Sequence, residues 1–362
     1  MTRPARVIID LAALRHNYSR VQQLASGSRV VAVVKADAYG HGIVRVARAL
    51  EDADAFGVAC MEEAAQLRTA GISKRILLLE GPYSTEELAA VAELHLDIVV
   101  HHESQLQMLQ QANVQGELTA WLKIDSGMHR LGFDPAEVPA VLDSLQSTPC
   151  INDNIIMMTH LATANEPGNE MNQQQLQTFR NAINGYQGEC SIANSAATIS
   201  FAASHGDWVR PGLMLYGVSP LEDAQAGDHD LRPVMTLRSQ LISVKRIRQG
   251  ESVGYGASWR CPSDTTIGIV AAGYGDGFPR HARSGTPTLV NGKRATIIGN
   301  ASMDMLTVDL SAQPGAQVGD EVELWGSALP IEEVAMYADT VPYELLCGVH
   351  KRLTFEEING QG

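Results

Sequence analysis

What this chain of 362 residues lacks narrows its class before any motif is read. Its five cysteines (Cys60, Cys150, Cys190, Cys261 and Cys347) are odd in number and never closely spaced. That fits neither a disulfide framework nor a zinc site, and reduced core thiols are the simplest reading. No apolar run approaches membrane-spanning length. The N-terminal stretch also lacks the basic start, apolar segment and small-residue cleavage site of a secretory leader, so the expected location is the cytoplasm. Lys and Arg nowhere cluster and the formal charge is −14. This argues against nucleic acid as the main partner, because such binding works by neutralising phosphates. No Gly-x-Gly-x-x-Gly turn follows the first β-prone run, which disfavours a doubly wound dinucleotide-binding sheet.

What is present is an ordinary globular composition, 45% hydrophobic, in a chain long enough for one large domain and a smaller one. Asp10 stands before apolar residues at Leu11, Leu14, Tyr18, Val21 and Leu24, with Gly27 behind, which predicts an amphipathic helix over 10–26. Short β-prone runs follow at 30–34, 55–59, 75–79, 97–100, 119–124, 155–159, 191–193 and 208–209. The intervals read as helices, for example 84–94 and 172–183. Strand and helix alternating eight times over such a length predicts a TIM (β/α)8 barrel over 10–230. The polar, acidic stretch between Pro220 and Pro233 reads as a linker. Beyond it Met235, Leu237 and Leu241 alternate with polar residues, strand-like runs lie at 267–270 and 306–310, and Asn291-Gly292 has the form of a tight hairpin turn. A mostly β domain is therefore expected over 231–362.

Carboxyl ends of barrel strands face the active site, and the first barrel strand runs straight into Lys35. A lysine there can enter a partly desolvated pocket and form a Schiff base as a neutral amine, although a solvated lysine at a strand end is the default. Further strands end on Lys123 and Asp125, His160, Ser195 and Arg210, each of which could alone be a structural polar group. The loops after strands seven and eight often bind phosphate in barrels, and here they carry Asn194-Ser195 and Arg210-Pro211-Gly212-Leu213. A lysine on strand one opposite such a phosphate site would hold pyridoxal 5′-phosphate at both ends.

With these segments in place the sequence resembles the alanine racemase family over essentially its whole length. The segments that carry the resemblance are 33–42 around Lys35, Lys123 to Gly132, Thr159-His160, Asn194-Ser195, Arg210 to Gly217, Val253 to Gly256, Gly273 to Gly277, Ser302 to Met305 and Tyr343 to Leu345. The resemblance implies a pyridoxal-phosphate barrel, a C-terminal β domain joined by an N-terminal strand within 1–9, and a head-to-tail homodimer with shared sites. It implies that Lys35 is the Schiff-base lysine and one catalytic base, and that Tyr255 of the other subunit is the opposite base. His160 and Arg210 resemble the residues that support the Tyr255 phenolate. Arg210 also resembles the contact to the pyridine nitrogen, and Arg130 the contact to the substrate carboxylate. Met303 matches a backbone donor from the partner. Tyr39, Ser195, Gly212, Leu213 and Tyr343 resemble phosphate contacts, Lys123 a lysine often carbamylated, and Tyr274 and Arg280 entrance positions.

Two entrance positions depart from the family pattern. Asn165 stands where an aspartate is common, and Asn300 where an arginine is common. Two neutral amides lack that charge attraction and need no fixed partner, so a less selective entrance is expected. The activity implied is interconversion of L- and D-alanine. A racemase of broader range that takes serine or lysine, a non-catalytic cofactor-binding barrel, and a decarboxylase on the related fold are the competing readings. Retention of both Lys35 and Tyr255 favours racemisation.

Overall fold

A computed structural model describes residues 3–112, 114 and 117–360 of the chain. The outermost limits of the expected domains, at 1, 2, 361 and 362, lie outside the described residues. Strand β1 (Arg6–Asp10) leads directly into the first helix, Leu11–Leu24. Asp10 makes the transition because its carboxylate accepts the Ala12 and Ala13 amides at 2.9 and 3.1 Å, satisfying donors the first helical turn leaves free. Asn17, on the buried face of this helix, donates to the carbonyls of Leu215 and Arg232 and accepts the Arg232 amide. One buried amide thus secures the chain where it leaves the barrel. Gly217 lies beside it at φ +74, where a Cβ would sit 1.8 Å from the Arg232 oxygen. Only glycine permits that approach.

Eight parallel strands close the barrel: β2 (Arg29–Val33), β3 (Ala55–Val58), β4 (Arg75–Leu78), β5 (Leu96–Val100), β6 (Ala120–Lys123), β7 (Ile156–Met158), β8 (Cys190–Ser191) and β9 (Trp208–Val209). They coincide with the eight β-prone runs to within a few residues. Val31, Ala55, Leu77, Val99, Trp121, Ile156, Met158 and Trp208 pack as one buried cluster, separate from the larger core. Their sequence neighbours Val30, Ala32, Phe56, Ile76, Leu78, Ile98 and Leu122 belong to that larger core. Alternation along each strand therefore divides the barrel interior from the layer under the helices. Trp121 and Trp208, with ring centroids 5.5 Å apart, fill much of the interior, and the Trp121 indole donates to Asp97 at 2.8 Å.

The second domain is built on β10 (Met235–Ile247), β11 (Ser252–Val253), β12 (Trp259–Arg260), β13 (Thr265–Val270), β14 (Pro287–Val290), β15 (Lys293–Ile297), β16 (Leu306–Asp309), β17 (Glu321–Trp325) and β18 (Thr354–Ile358). β11 and β12 pair with each other, and the rest join one sheet with β1. The long strand β10 pairs with β17 and, past an irregularity at Leu241/Ser243, with β13, which closes six strands into a ring. β1 runs antiparallel to β10 and parallel to β18, so the N-terminal strand does join this domain. Asn291 and Gly292 turn β14 into β15 with φ of +48 and +72, the signs a tight primed turn requires. The domain is not purely β, because helices Ile331–Tyr337 and Pro342–Cys347 lie between β17 and β18. Among the described residues no helix is long and apolar enough to cross a membrane.

The cysteines are all unpaired, but they are not uniformly in the core. Cys150 and Cys261 are buried, whereas Cys347 is exposed. Trp121→Ala should cost about 3–5 kcal/mol of stability, because it empties the barrel interior and removes a donor from Asp97. Urea unfolding measures this. A loss under about 1 kcal/mol would mean that the barrel collapses to fill the gap.

Candidate active site

The carboxyl ends of the barrel strands open into one cavity of about 1030 Å³. Lys35, Tyr39, Lys123, Arg130, His160, Asn165, Ser195, Arg210, Gly212, Leu213 and Tyr343 all line it. The chain reaches Lys35 from β2 and then departs from the expected simple strand end. Ala36, Asp37, Ala38 and Tyr39 all have φ between +52 and +55. A left-handed turn of non-glycine residues costs about 1–2 kcal/mol per residue. It is supported from outside: Glu63 accepts the Ala36 amide at 2.6 Å, and Asp37 accepts the Ile43 amide at 2.8 Å.

Two loops beside it, after β8 and β9, are tied together through Ser195, and β9 pairs directly with β2. The Ser195 hydroxyl accepts the amide of Gly212 at 2.8 Å and that of Met214 at 3.4 Å. Asn194 caps the short helix Ser195–Ser200 by accepting the Ala197 amide at 3.0 Å. Gly212 has a steric reason to be glycine, since a Cβ there would lie 2.5 Å from the Tyr39 hydroxyl. Tyr39 packs between Tyr216 and Tyr343 with tilted rings, at 4.8 and 5.8 Å between ring centroids. Burial raises the phenols of Tyr39 and Tyr343 above the ordinary tyrosine value, so both remain hydrogen-bond donors at neutral pH.

Arg210 is buried and held on three sides. It donates to the Ser191 hydroxyl and the Thr159 carbonyl, both at 2.6 Å, and to the Ile192 carbonyl at 3.4 Å. Its Nη2 also lies 3.5 Å from His160 Nδ1. A guanidinium only donates, so Nδ1 is the acceptor and His160 carries its proton on Nε2. Burial, with Arg210 and Lys123 beside it, holds His160 well below the usual imidazole value. Lys123 lies at the end of β6, almost fully buried. Desolvation first, then Arg210 and Arg130, pushes its ammonium down to about 7. Asp125, a second candidate at this strand end, is committed to shaping the loop. It accepts the amides of Gly127 and His129, each at 3.0 Å, and so folds the segment that brings Arg130 to the cavity.

Tyr255, Tyr274, Arg280, Asn300 and Met303 do not line this cavity. They lie on a face of the second domain, where Tyr255 is 73% exposed and Met303 53%. The face is internally braced. Asn300 donates to the Tyr255 carbonyl at 2.9 Å, Ser302 and Met303 accept the amides of Tyr274 and Gly275, and the Arg280 guanidinium lies over the Tyr274 ring at 5.8 Å. Behind it the fully buried Asp276 pairs with Arg3 and Arg352, and Arg352 also reaches Asp304 and the Met303 carbonyl. The expectation that the amides at 165 and 300 need no fixed partner is corrected. Asn300 holds Tyr255, and Asn165 donates to Glu222 at 2.5 Å. An amide satisfies local acceptors that the charge argument ignored.

Glu222, Glu332, Met336 and Cys347 also line the cavity and were not anticipated. The last three come from the helices after β17, whose proximity no local pattern reveals.

Comparison with known proteins agrees with this architecture. Residues 9–220 match the family model described as alanine racemase, N-terminal domain, and residues 234–356 match the alanine racemase C-terminal domain. The chain is 49% identical over 349 residues to an alanine racemase of Nitrosococcus oceani, covering 96% of this chain and 98% of that one. It is 47% identical over 348 residues to that of Shewanella piezotolerans, covering 96% and 97%. Among solved structures, the biosynthetic alanine racemase of Pseudomonas aeruginosa superposes with a TM-score of 0.96 at 46% identity, covering 98% of this chain and 99% of that one. The alanine racemase of Acinetobacter baumannii gives 0.93 at 37% identity, covering 98% and 100%. With both halves of the chain matched, and its fold shared nearly end to end, the chain belongs to the alanine racemase family.

Proposed function

We propose that this chain interconverts L- and D-alanine with pyridoxal 5′-phosphate, using Lys35 of one protomer and Tyr255 of a second copy as opposed bases. One observation carries the reading. Lys35, Lys123, Arg130 and Arg210 line the same cavity, and among the described residues none of the four has a carboxylate within ion-pair distance. Glu80, Glu222 and Glu332 line the same cavity but pair with none of the four, and cations gathered without a direct ion-pair partner in a partly desolvated space repel one another and favour bound anions. A phosphate ester and an amino-acid carboxylate are such anions.

The donor set fits the cofactor. Tyr39, Tyr343 and Ser195 offer hydroxyls at one end of the cavity beside the Gly212-Leu213 backbone, whose Gly212 amide is shared with the Ser195 hydroxyl, and Lys35 offers an amine in the same space. Arg210, fixed by three hydrogen bonds, can donate to a pyridine nitrogen and does not readily give up its own proton. When bound, the cofactor supplies an electron sink that acidifies the α-C–H of the attached amino acid. Racemisation then requires one base to remove that proton and another to return a proton from the opposite face. Lys35 approaches from the barrel. The exposed, braced Tyr255 is available to enter the cavity of a second copy, and Arg130 is suited to orient the substrate carboxylate.

The state of Lys123 follows first from its burial and then from the neighbouring Arg210 and Arg130. With its value near 7, much of its amine is neutral at physiological pH. Attack of a neutral amine on carbon dioxide forms an N–C bond, releases one proton and leaves a carbamate anion between Arg130 and Arg210. Carbamylation would turn the most buried repulsion of the site into an attraction.

Borohydride reduction of the loaded enzyme should attach the cofactor to Lys35, read by peptide mass. Attachment to any other lysine would refute the assignment. Lys35→Ala and Tyr255→Ala should each abolish racemisation, and mixing the two inactive chains under exchange conditions should restore activity, because a mixed dimer keeps one complete site. Verified mixed dimers without activity would exclude a shared site. A chiral assay across alanine, serine and lysine should find alanine fastest.

The unmodified Lys123 also makes a pH prediction in CO₂-free buffer. Between about 7 and the ordinary lysine value of 10.5 the unfolded chain holds a proton that the folded chain lacks, so stability rises with pH across that window. Lys123→Met has no such proton. Its stability advantage over the parent should be greatest below pH 7 and shrink toward pH 10.5. Parallel pH–stability curves for the two proteins would contradict this.

A further inference from the structure

His41 is fully buried, and the reaction makes no use of it. Its Nδ1 lies 2.9 Å from both the Ala38 and the Tyr39 carbonyls. Both partners are acceptors, so Nδ1 carries the proton. Among the described residues Nε2 is buried without a hydrogen-bond partner. An unpaired buried acceptor is unfavourable, and an apolar side chain would avoid it. The histidine therefore has to be present for its other edge. That edge grips the left-handed turn of 36–39, where backbone strain is concentrated. The ring also stacks on Tyr216 at 4.5 Å, and Tyr216 packs against Tyr39 and donates to the Val33 carbonyl at 2.9 Å. The backbone before Lys35 and the backbone after it are thus joined to one buried stack. Burial keeps the imidazole neutral, at about 4, so the arrangement persists through the physiological range.

We propose that His41 is a positioning residue whose Nδ1–H pins the left-handed turn and thereby sets Lys35 and Tyr39 in the cavity. The inference rests on the reading of Lys35 and Tyr39 as residues that hold the cofactor. It is distinct from a space-filling role, and two substitutions separate them. His41→Asn keeps a donor near the Nδ1 position and loses the ring. His41→Leu keeps apolar volume and loses the donor. A filler favours leucine, whereas a pin favours asparagine.

The test uses the loaded enzyme, with three readings: kcat and KM, cofactor dissociation constant, and hydrogen exchange of the amides at 38–42. His41→Leu should lose about tenfold in kcat and in cofactor affinity, and the amides of Ala38, Gly40 and Gly42 should exchange about tenfold faster, while exchange elsewhere is unchanged. His41→Asn should recover most of each. Leucine matching or exceeding asparagine in kcat and local protection would overturn the proposal, as would loosening spread evenly over the chain. If His41→Leu does not fold, His41→Asn decides alone: near-normal kcat and protection support the pin, and loss of both overturns it. Exchange at 38–42 does not depend on what Lys35 does. Local loosening in His41→Leu alongside an active Lys35→Ala would sink the site reading and leave the pin standing.

Discussion

Three βα units, after β2, β6 and β9, carry Lys35, Lys123 with Arg130, and Arg210 into one cavity, and their mutual repulsion has to be borne by the rest of the chain. The load is divided. Arg210 is neutralised in part by carbonyl and hydroxyl acceptors from two neighbouring strands. Lys123 yields by losing affinity for its proton. His160, accepting from Arg210, stays neutral and adds no further charge. A tightly filled barrel interior, with Trp121 against Trp208, resists the outward displacement that would relieve the strain. The four cations are left without a direct ion-pair partner, which is the property that the proposed phosphate-bearing cofactor and carboxylate substrate would exploit.

The second constraint is backbone strain beside Lys35. A run of left-handed non-glycine residues persists only where its contacts determine it, and here those are Glu63, His41, the bond from the Ile43 amide back to Asp37 within the run, and the packing of Tyr39 on Tyr216. Its effect is to bring the Tyr39 hydroxyl against Gly212, so that the first barrel loop meets the last. The exposed face of the second domain follows a different rule. Tyr255 and Met303 sit outward on loops that are stiff because Asn300, Asp276 and Arg352 hold their backbones. Exposed but braced side chains would suit the proposed delivery into a second copy, since less order has to be gained on association.

Much of this was readable in the residues. The period of apolar side chains marked the first helix, short β-prone apolar runs marked the eight barrel strands, and the turn residues Asn291-Gly292 marked the hairpin, because burial and turn geometry each constrain residue type locally. The strand-end positions of Lys35, Lys123, His160, Ser195 and Arg210 marked the mouth of the barrel, because parallel topology sends every strand's carboxyl end the same way. What the sequence by itself determined was therefore the set of elements and the chemical types gathered at one end. Only the tertiary structure decided the rest. It brought the helices after β17 back over the cavity, turned 36–39 left-handed, removed Asp125 from the chemistry by giving it the amides of its own loop, and paired Asn165 with Glu222 and Asn300 with Tyr255. Apart from Asp125, whose partners lie two and four residues along its own loop, these outcomes are competitions among partners distant in sequence, settled by which donors and acceptors the closed barrel leaves within reach.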